Sequence, residues 1–196
     1  MRICFVRHGQ TDWNLQKRMQ GREDVPLNAT GLRQAEQLGR VIVAHKWAAI
    51  VTSPLSRAYD TAVVLGKHCG LADISKDEGL IERDFGNVAG TTCDEKYRGT
   101  FNFDMPGIEP YKLLEERAYS TLIRISKRFR GSDVIVVSHG DTISALIYKL
   151  SDGRINADMV CLKNACMNLV SGDDRGFKIV FFNKTCDDAN EIFPLY

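Results

Sequence analysis

The sequence has no long hydrophobic run. The apolar stretch near the N-terminus covers four residues, 3–6, whereas the core of a signal peptide needs roughly 7 to 15. No later stretch comes near the roughly 20 uninterrupted apolar residues of a membrane-spanning helix. We therefore expect no export signal, no association with a membrane and a cytoplasmic location.

The chain also lacks an excess of charge of one sign. Its 26 basic and 25 acidic residues leave a formal net charge of +1 at pH 7. A domain that binds nucleic acid is expected to carry a basic excess, so this balance argues against nucleic acid as a partner. Any site for an anion must be built locally, and we expect its ligand to be a small molecule.

No two cysteines have the Cys-x-x-Cys spacing of redox motifs and many zinc sites. The six cysteines are Cys4, Cys69, Cys93, Cys161, Cys166 and Cys186. Several of them lie in apolar stretches, where cysteine behaves as a small hydrophobic residue, and we predict that all are reduced thiols. A chain of 196 residues can bury a core without disulfides or metals, so we predict one domain over residues 1–196.

Short apolar runs alternate with segments of helical spacing. Strands are predicted at residues 3–6, 48–52 and 134–137, with helical segments after each of them, and a long helix is predicted over residues 111–129. Two further strands, 166–170 and 176–182, form a predicted hairpin that finishes the sheet. This order predicts an α/β fold with three layers, α/β/α, around a mainly parallel sheet.

Two helices begin with recognisable capping signals. Asn28 or Thr30 is expected to cap the helix after the first strand. In Ser53-Pro54-Leu55-Ser56-Arg57, a serine cap and a proline in the opening turn predict a helix whose first turn contains Arg57. A helix N-terminus has free N–H groups and a partial positive charge, so Arg57 adds to a site that suits phosphate.

The periodicity weakens between residues 69 and 110. Glycine recurs there at positions 70, 79, 86, 90, 99 and 107, which predicts a loop-rich excursion rather than a second domain. We interpret this excursion as a lid over the site, because such segments often carry substrate contacts.

Histidine follows two of the predicted strands in the same way. The first strand runs into Arg7-His8-Gly9, and the strand at 134–137 runs into Ser138-His139-Gly140. Ligands of open α/β sheets collect outside the carboxyl ends of the parallel strands. We therefore expect both imidazoles to meet in one pocket, with the guanidinium group of Arg7 beside them.

The expected pocket combines two guanidinium groups and two imidazoles, from Arg7, His8, Arg57 and His139. Arginine matches the nonbridging oxygens of a phosphoryl group by its fork geometry, and a neutral imidazole can attack phosphorus. We assign His8 as the nucleophile and His139 to the oxygens that gain charge, although the sequence alone allows the reverse assignment. Zinc is a weaker alternative because a third ligand is missing and the arginines repel a cation.

A leaving alkoxide also needs a proton, which a carboxylic acid near the phosphate can supply. Glu82, inside the glycine-rich excursion, is the first candidate for this acid. Asp84 and Asp141 are alternatives that the spacing does not exclude.

These motifs, in this order, resemble the histidine phosphatase superfamily, in its phosphoglycerate mutase-like branch. The resemblance is carried by Arg7-His8-Gly9 with Thr11 and Asn14, by Ser53-Pro54-Leu55-Ser56-Arg57-Ala58 with Thr61-Ala62, by Glu82 and by Ser138-His139-Gly140. It implies that His8 becomes a phosphohistidine and that Glu82 is the proton donor. It also implies a phosphate pocket and its border, formed by Arg7, Arg57, His139, Asn14, the Gly140 amide and Gln20-Gly21.

Within the family, the resemblance favours a small phosphatase over a mutase. Glu82 and His139 lie 57 positions apart, which is short beside the mutases, whose insertion there covers the site. Asp141 replaces an asparagine and Phe85 a tyrosine of the mutases, while Val88-Ala89-Gly90 departs from the small phosphatases and leaves the substrate open.

The resemblance thus implies a metal-independent phosphomonoesterase, without a cofactor, that acts on a small phosphorylated metabolite through a phosphohistidine. The alternatives are a cofactor-dependent phosphoglycerate mutase and a non-catalytic phosphate-binding protein. The sequence leaves open whether the chain is a monomer or a homodimer.

Overall fold

A computed structural model of the chain describes residues 1–92, 107–155 and 161–188. The strands are β1 (Arg2–Arg7), β2 (Ala49–Thr52), β3 (Ile74–Lys76), β4 (Val134–Ser138), β5 (Met167–Asp173) and β6 (Gly176–Lys184). The helices are α1 (Asp12–Leu15), α2 (Ala29–Ile42), α3 (Ser56–Cys69), α4 (Tyr111–Arg128) and α5 (Gly140–Leu150), with short 3-10 turns at Glu78–Leu80, Gly86–Val88 and Cys186–Asp188. No helix among these residues is both long and apolar enough to cross a membrane.

The six strands form one sheet in the order β3-β2-β4-β1-β5-β6. The first four are parallel, whereas β5 and β6 are antiparallel and form the predicted hairpin at one edge. β1 and β4 are neighbours, and Arg7 is paired with Ser138 in their register. The two histidines that follow these residues therefore emerge side by side at the same edge of the sheet.

Helices cover both faces of the sheet and give it two cores. Alternate residues of β1 point to opposite faces, so Ile3 and Phe5 join α4 and α5 in one core, while Cys4 and Val6 join α2 and α3 in the other. A parallel strand that is buried on both faces reads as a continuous apolar run, as residues 3–6 do. The predicted three-layer α/β fold with a mainly parallel sheet is confirmed.

The helix starts match the capping predictions in one case out of two. Asn28 caps α2, since its side chain accepts a hydrogen bond from the Gly31 N–H at 2.9 Å. For α3 the serine cap was wrong: the N-cap is Leu55, which makes no side-chain capping bond, and Pro54 lies before the helix. Ser53 lies two residues before this N-cap, and its hydroxyl lies 2.7 Å from Nε2 of His139.

Several boundaries differ from the predicted ones. α5 begins at Gly140 rather than at residue 142, both strands of the hairpin are longer, and α1 was missed. The segment predicted as loop from residue 69 contains β3, which pairs with β2 and extends the sheet. The rest of that excursion lies partly outside the described residues, at 93–106, and one domain over 1–196 stays a prediction. The cysteines within the described ranges are free thiols.

The loop after β1 rests directly on the first turn of α2. A Cβ atom on Gly9 would lie 2.9 Å from Cα of Gly31, and one on Gly31 would lie 2.7 Å from the backbone nitrogen of Gln10. Gln10 is tied to the same helix, because its N–H donates to Gln34 and its carbonyl accepts from the Asn28 N–H. These glycines let the loop that carries His8 approach the helix backbone.

We predict that Gly31→Ala destabilises the fold. The new methyl group meets backbone on the opposite side, which cannot turn away, and such overpacking costs about 1–3 kcal/mol. Gly39→Ala, on the same helix, is the matched control because its methyl group meets only the ring of His68, a partly exposed side chain. Urea denaturation of the two variants checks this, and equal losses of unfolding free energy would contradict it.

Candidate active site

His8 and His139 lie together where β1 and β4 end. Their ring centroids are 5.2 Å apart and the ring planes are inclined by 61°. Both side chains are buried, with 2% and 0% of their surface exposed. The convergence expected from the two His-Gly motifs is therefore present.

The hydrogen bonds of His8 define its tautomer. Its Nδ1 lies 2.7 Å from the carbonyl oxygen of Gly9, and because a carbonyl only accepts, Nδ1 carries the proton. Nε2 accepts a hydrogen bond from Nε of Arg57 at 3.3 Å, so it presents a lone pair. This arrangement leaves Nε2 as the unprotonated nitrogen of a neutral imidazole at the site.

His139 is oriented by Ser53. The Ser53 hydroxyl accepts from the Leu55 N–H at 3.4 Å and lies 2.7 Å from Nε2 of His139, to which it can donate its proton. That assignment places the imidazole proton on Nδ1. Nδ1 is buried and has no hydrogen-bond partner among the described residues, so it is available as a donor to a ligand.

Both imidazoles are held in the neutral form. Burial, and then the neighbouring guanidinium groups of Arg57 and Arg7, lower the pKa of His8 well below its usual value. Burial and then Arg57 also lower the pKa of His139 far below the ordinary range. A histidine that stays neutral at pH 7 keeps its lone pair for attack on an electrophile.

Arg57, in the first turn of α3, is fully buried. Its NH1 and NH2 atoms donate to the carbonyl oxygens of Glu23, at 2.7 Å, and Gly21, at 2.8 Å. Burial lowers the pKa of the guanidinium to about 10, so the group is still cationic at neutral pH. The loop 21–23 thus fixes the direction of this cation toward His8.

Arg7, the last residue of β1, brings a second cation to the pocket. Its NH1 donates to the carbonyl oxygen of Leu162. Its Nε atom is buried without a hydrogen-bond partner in the described part of the chain. The guanidinium lies against Gly140, where a Cβ atom would come within 3.4 Å of Nε, so a glycine there leaves the group room.

Glu82 is a buried carboxylate fixed at the N-terminus of α5. Its Oε1 accepts from the Thr142 N–H and hydroxyl, both at 3.1 Å, and from the Arg83 N–H at 3.0 Å, while Oε2 accepts from the Asp141 N–H at 3.3 Å. Arg117 of α4 donates to the carbonyl of the preceding residue, Ile81, at 2.8 Å. These contacts hold the carboxylate at the strand-end edge, next to the segment that carries His139.

The two alternative acids differ in their surroundings. Asp84 is half exposed and pairs with Arg22 at 3.4 Å on the outside of the loop. Asp141 follows Gly140 directly and its own N–H donates to Glu82. Only Asp141 therefore lies beside the candidate acid, whereas Asp84 lies outside the pocket.

The residues that the resemblance assigned to substrate contacts also gather here. Asn14 accepts hydrogen bonds from Thr11 and from Nδ2 of Asn164, at 3.1 Å each. Gln20 is buried and accepts from the Thr11 hydroxyl at 3.0 Å. Gly21 presents its carbonyl to Arg57. The roles of these residues, and of the catalytic set, stay predictions.

Sequence reasoning missed several residues that position the site. Asn164, on the loop before β5, donates to the carbonyl of His8 at 3.2 Å, and Thr61 of α3 accepts from the Gly9 N–H at 3.1 Å. Thr142 donates two hydrogen bonds to the Glu82 carboxylate, and Ser53 orients His139. Thr61 and Ser53 stand in the motif of the resemblance, but no pattern in the sequence indicated Asn164, which reaches the site through the fold.

The arrangement brings two cations, two neutral imidazoles and a buried carboxylate together at one edge of the sheet. Cationic forks and N–H donors bind the oxygens of an anion such as phosphate. The described residues contain no group of three or more histidine, cysteine or acidic side chains that could hold a metal ion. The site is therefore suited to an oxyanion that faces a nucleophile.

Comparison with known proteins gives the same family throughout. A model of the histidine phosphatase superfamily (branch 1) matches residues 3–185. The uncharacterized phosphatase PhoE of Bacillus subtilis is 35% identical over 181 residues, which cover 92% of this chain and 93% of that protein. A metal-independent phosphoserine phosphatase of Arabidopsis thaliana is 32% identical over 184 residues, 86% of this chain and 75% of that protein.

Solved structures agree with these relatives. A mycobacterial glucosyl-3-phosphoglycerate phosphatase superposes with a TM-score of 0.81 at 28% identity, over 94% of this chain and 99% of that one. The family model, the relatives and the solved structure therefore all indicate the same family. The chain belongs to branch 1 of the histidine phosphatase superfamily and is a phosphatase of that family.

Proposed function

We propose that the protein hydrolyses a small phosphomonoester without a metal ion, through a phosphohistidine at His8. The observation that carries this proposal is the tautomer of His8, whose proton lies on Nδ1 toward Gly9 and whose Nε2 lone pair faces Arg57. A phosphate-binding protein has no need for a nucleophile prepared in this way. The balance of charge over the whole chain argues against nucleic acid as the substrate.

In the first half-reaction, Nε2 of His8 attacks phosphorus. The N–P bond forms as the P–O ester bond breaks, and the electron pair of that bond goes to the leaving oxygen. Glu82, in its protonated form, gives that oxygen a proton, so the alcohol leaves neutral and Glu82 becomes a carboxylate. The Nδ1–H group of the phosphorylated imidazole continues to donate to the Gly9 carbonyl oxygen, which stabilises the cation that forms.

In the second half-reaction, Glu82 acts as the base. It removes a proton from a water molecule whose oxygen attacks phosphorus, and the N–P bond breaks with its electron pair returning to Nε2. Inorganic phosphate leaves, and both His8 and Glu82 regain their starting protonation. One pocket therefore serves both steps.

The free donors of the pocket fit the nonbridging oxygens. Nε of Arg7 and Nδ1 of His139 are buried without partners among the described residues, and a phosphoryl group would satisfy both. Arg57, Asn14 and the Gly140 amide complete the set that we assign to phosphate, with Gln20 and Gly21 at its border. Donors that are already in place when charge develops stabilise the transition state without reorganisation.

We predict that His8→Ala abolishes phosphate release. Loss of the nucleophile is expected to lower kcat by about 10⁴-fold or more. The parent protein, mixed rapidly with a phosphomonoester and quenched in alkali, is expected to carry phosphate on His8 by mass spectrometry. His68→Ala is the control, because that imidazole pairs with Glu36 on the surface. Release by the His8 variant at the parental rate would refute the proposal.

We predict that the effect of Glu82→Gln depends on the leaving group. An alkoxide needs a proton to leave, so hydrolysis of an alkyl phosphate is expected to fall by about 10²–10⁴-fold. A nitrophenolate leaves without one, so p-nitrophenyl phosphate is expected to lose much less. Asp84→Asn is the control and is expected to change neither rate. Equal losses for both esters would argue against Glu82 as the acid.

We predict that a chelator leaves the rate unchanged and that no bisphosphorylated primer is required. Phosphate release is measured from several phosphomonoesters with EDTA and without added bisphosphoglycerate. Loss of activity in EDTA would contradict metal independence. Transfer between hydroxyl groups that depends on the primer, with little release, would favour the mutase alternative. Phosphate binding without either reaction would favour the non-catalytic one.

A further inference from the structure

Asp141, in the first turn of α5, lies beside two groups of the proposed reaction centre. Its N–H donates to Oε2 of Glu82 at 3.3 Å, and the residue before it, Gly140, lies against the guanidinium of Arg7. The residue therefore adjoins both the acid that serves the leaving oxygen and a cation that serves the phosphate.

The Asp141 carboxylate has an unused acceptor. Its Oδ2 atom is buried and has no hydrogen-bond partner in the described residues. NH1 of Arg83 is 4.0 Å away, which is too far for a hydrogen bond. Arg83 is held at this distance because its Nε donates to the Glu109 carbonyl at 2.9 Å and its guanidinium lies 5.6 Å from the ring of Tyr111.

A second buried polar atom lies on the same side. The Tyr111 hydroxyl has no hydrogen-bond partner among the described residues. Burial, followed by the charge of Asp141, raises the pKa of Tyr111 far above its usual value, so the hydroxyl stays protonated. This part of the site thus holds two carboxyl groups and a neutral hydroxyl, together with the guanidinium of Arg83.

We propose that Asp141 selects phosphomonoesters whose alcohol carries an ammonium group, that is, phosphorylated amino alcohols. The inference rests on the proposed function and narrows its substrate class. An ammonium group gives the free Oδ2 a charge-assisted hydrogen bond, which is stronger than a neutral one. A carboxylate in the same place meets the like charge of the ionised Asp141.

The preference depends on pH with a definite sign. Burial, and then the Glu82 carboxylate, raise the pKa of Asp141 above its ordinary range, while Arg83 and Arg7 oppose the shift. Asp141 is therefore neutral at acid pH and ionises later than an exposed aspartate. Because only the ionised form attracts an ammonium group, the preference is expected to rise from about pH 5 to about pH 8.

The experiment compares four esters of one length, X–CH₂–CH₂–OPO₃²⁻, in which X is ammonium, hydroxyl, methyl or carboxylate. We expect the parent protein to show a kcat/KM for the ammonium ester about tenfold or more above that for the methyl ester, and the lowest value for the carboxylate. In Asp141→Asn the ratio of ammonium to methyl ester is expected to fall toward one and to lose its rise with pH. Asp84→Asn is the matched control, expected to keep the parental ratio.

The ratio cancels any general change in activity, and thermal denaturation checks that Asp141→Asn is folded. An unchanged ratio in that variant, or a parent protein that favours the methyl or carboxylate ester, would overturn the inference. Hydrolysis of p-nitrophenyl phosphate that requires His8 separates this result from failure of the proposed function. If that hydrolysis is absent too, the proposed function fails and the inference with it.

Discussion

The parallel pairing of β1 with β4 is the constraint on which the site depends. It places Arg7 opposite Ser138, so that the residues after them, His8 and His139, come within 5.2 Å of each other although 131 positions separate them in the chain. A register shift of one residue would turn every side chain of a strand to the other face. Burial of both faces of β1 prevents such a shift, because Ile3 and Val6 belong to opposite cores.

Much of this arrangement follows from local sequence signals. The apolar runs before the two His-Gly motifs predict buried strands, and strands that end in the same motif predict that the two imidazoles meet, as they do in the fold. The predicted serine cap of α3 was wrong, because the helix begins later, after Leu55. The Ser53 hydroxyl contacts His139, a residue distant in sequence. Asn164 and Thr142 were missed for a related reason, since each reaches the site through the packing of separate elements rather than through a pattern in its own segment.

Burial of polar groups at the site opposes their charged forms. Arg57 donates two of its hydrogen bonds to backbone carbonyl oxygens rather than to a carboxylate. His8 and His139 remain neutral because burial, and then the charges of the neighbouring arginines, disfavour their protonated forms. Below about pH 6.5 these two histidines are protonated in the unfolded chain but remain neutral in the folded protein. Their contribution to stability is therefore complete above that pH and is lost as the pH falls.

Two N–H donors at the site have no hydrogen-bond partner among the described residues, which suits them to bind an oxyanion. A donor that is fully satisfied within the protein must break a bond before it can bind phosphate, whereas Nε of Arg7 and Nδ1 of His139 lack partners in the described residues and need no such exchange. The folded chain keeps these groups unsatisfied because strand pairing and the Leu162 and Ser53 contacts fix the rest of each side chain. Donors that are already fixed in place stabilise developing charge without reorganisation, which is what the proposed reaction requires of Arg7 and His139.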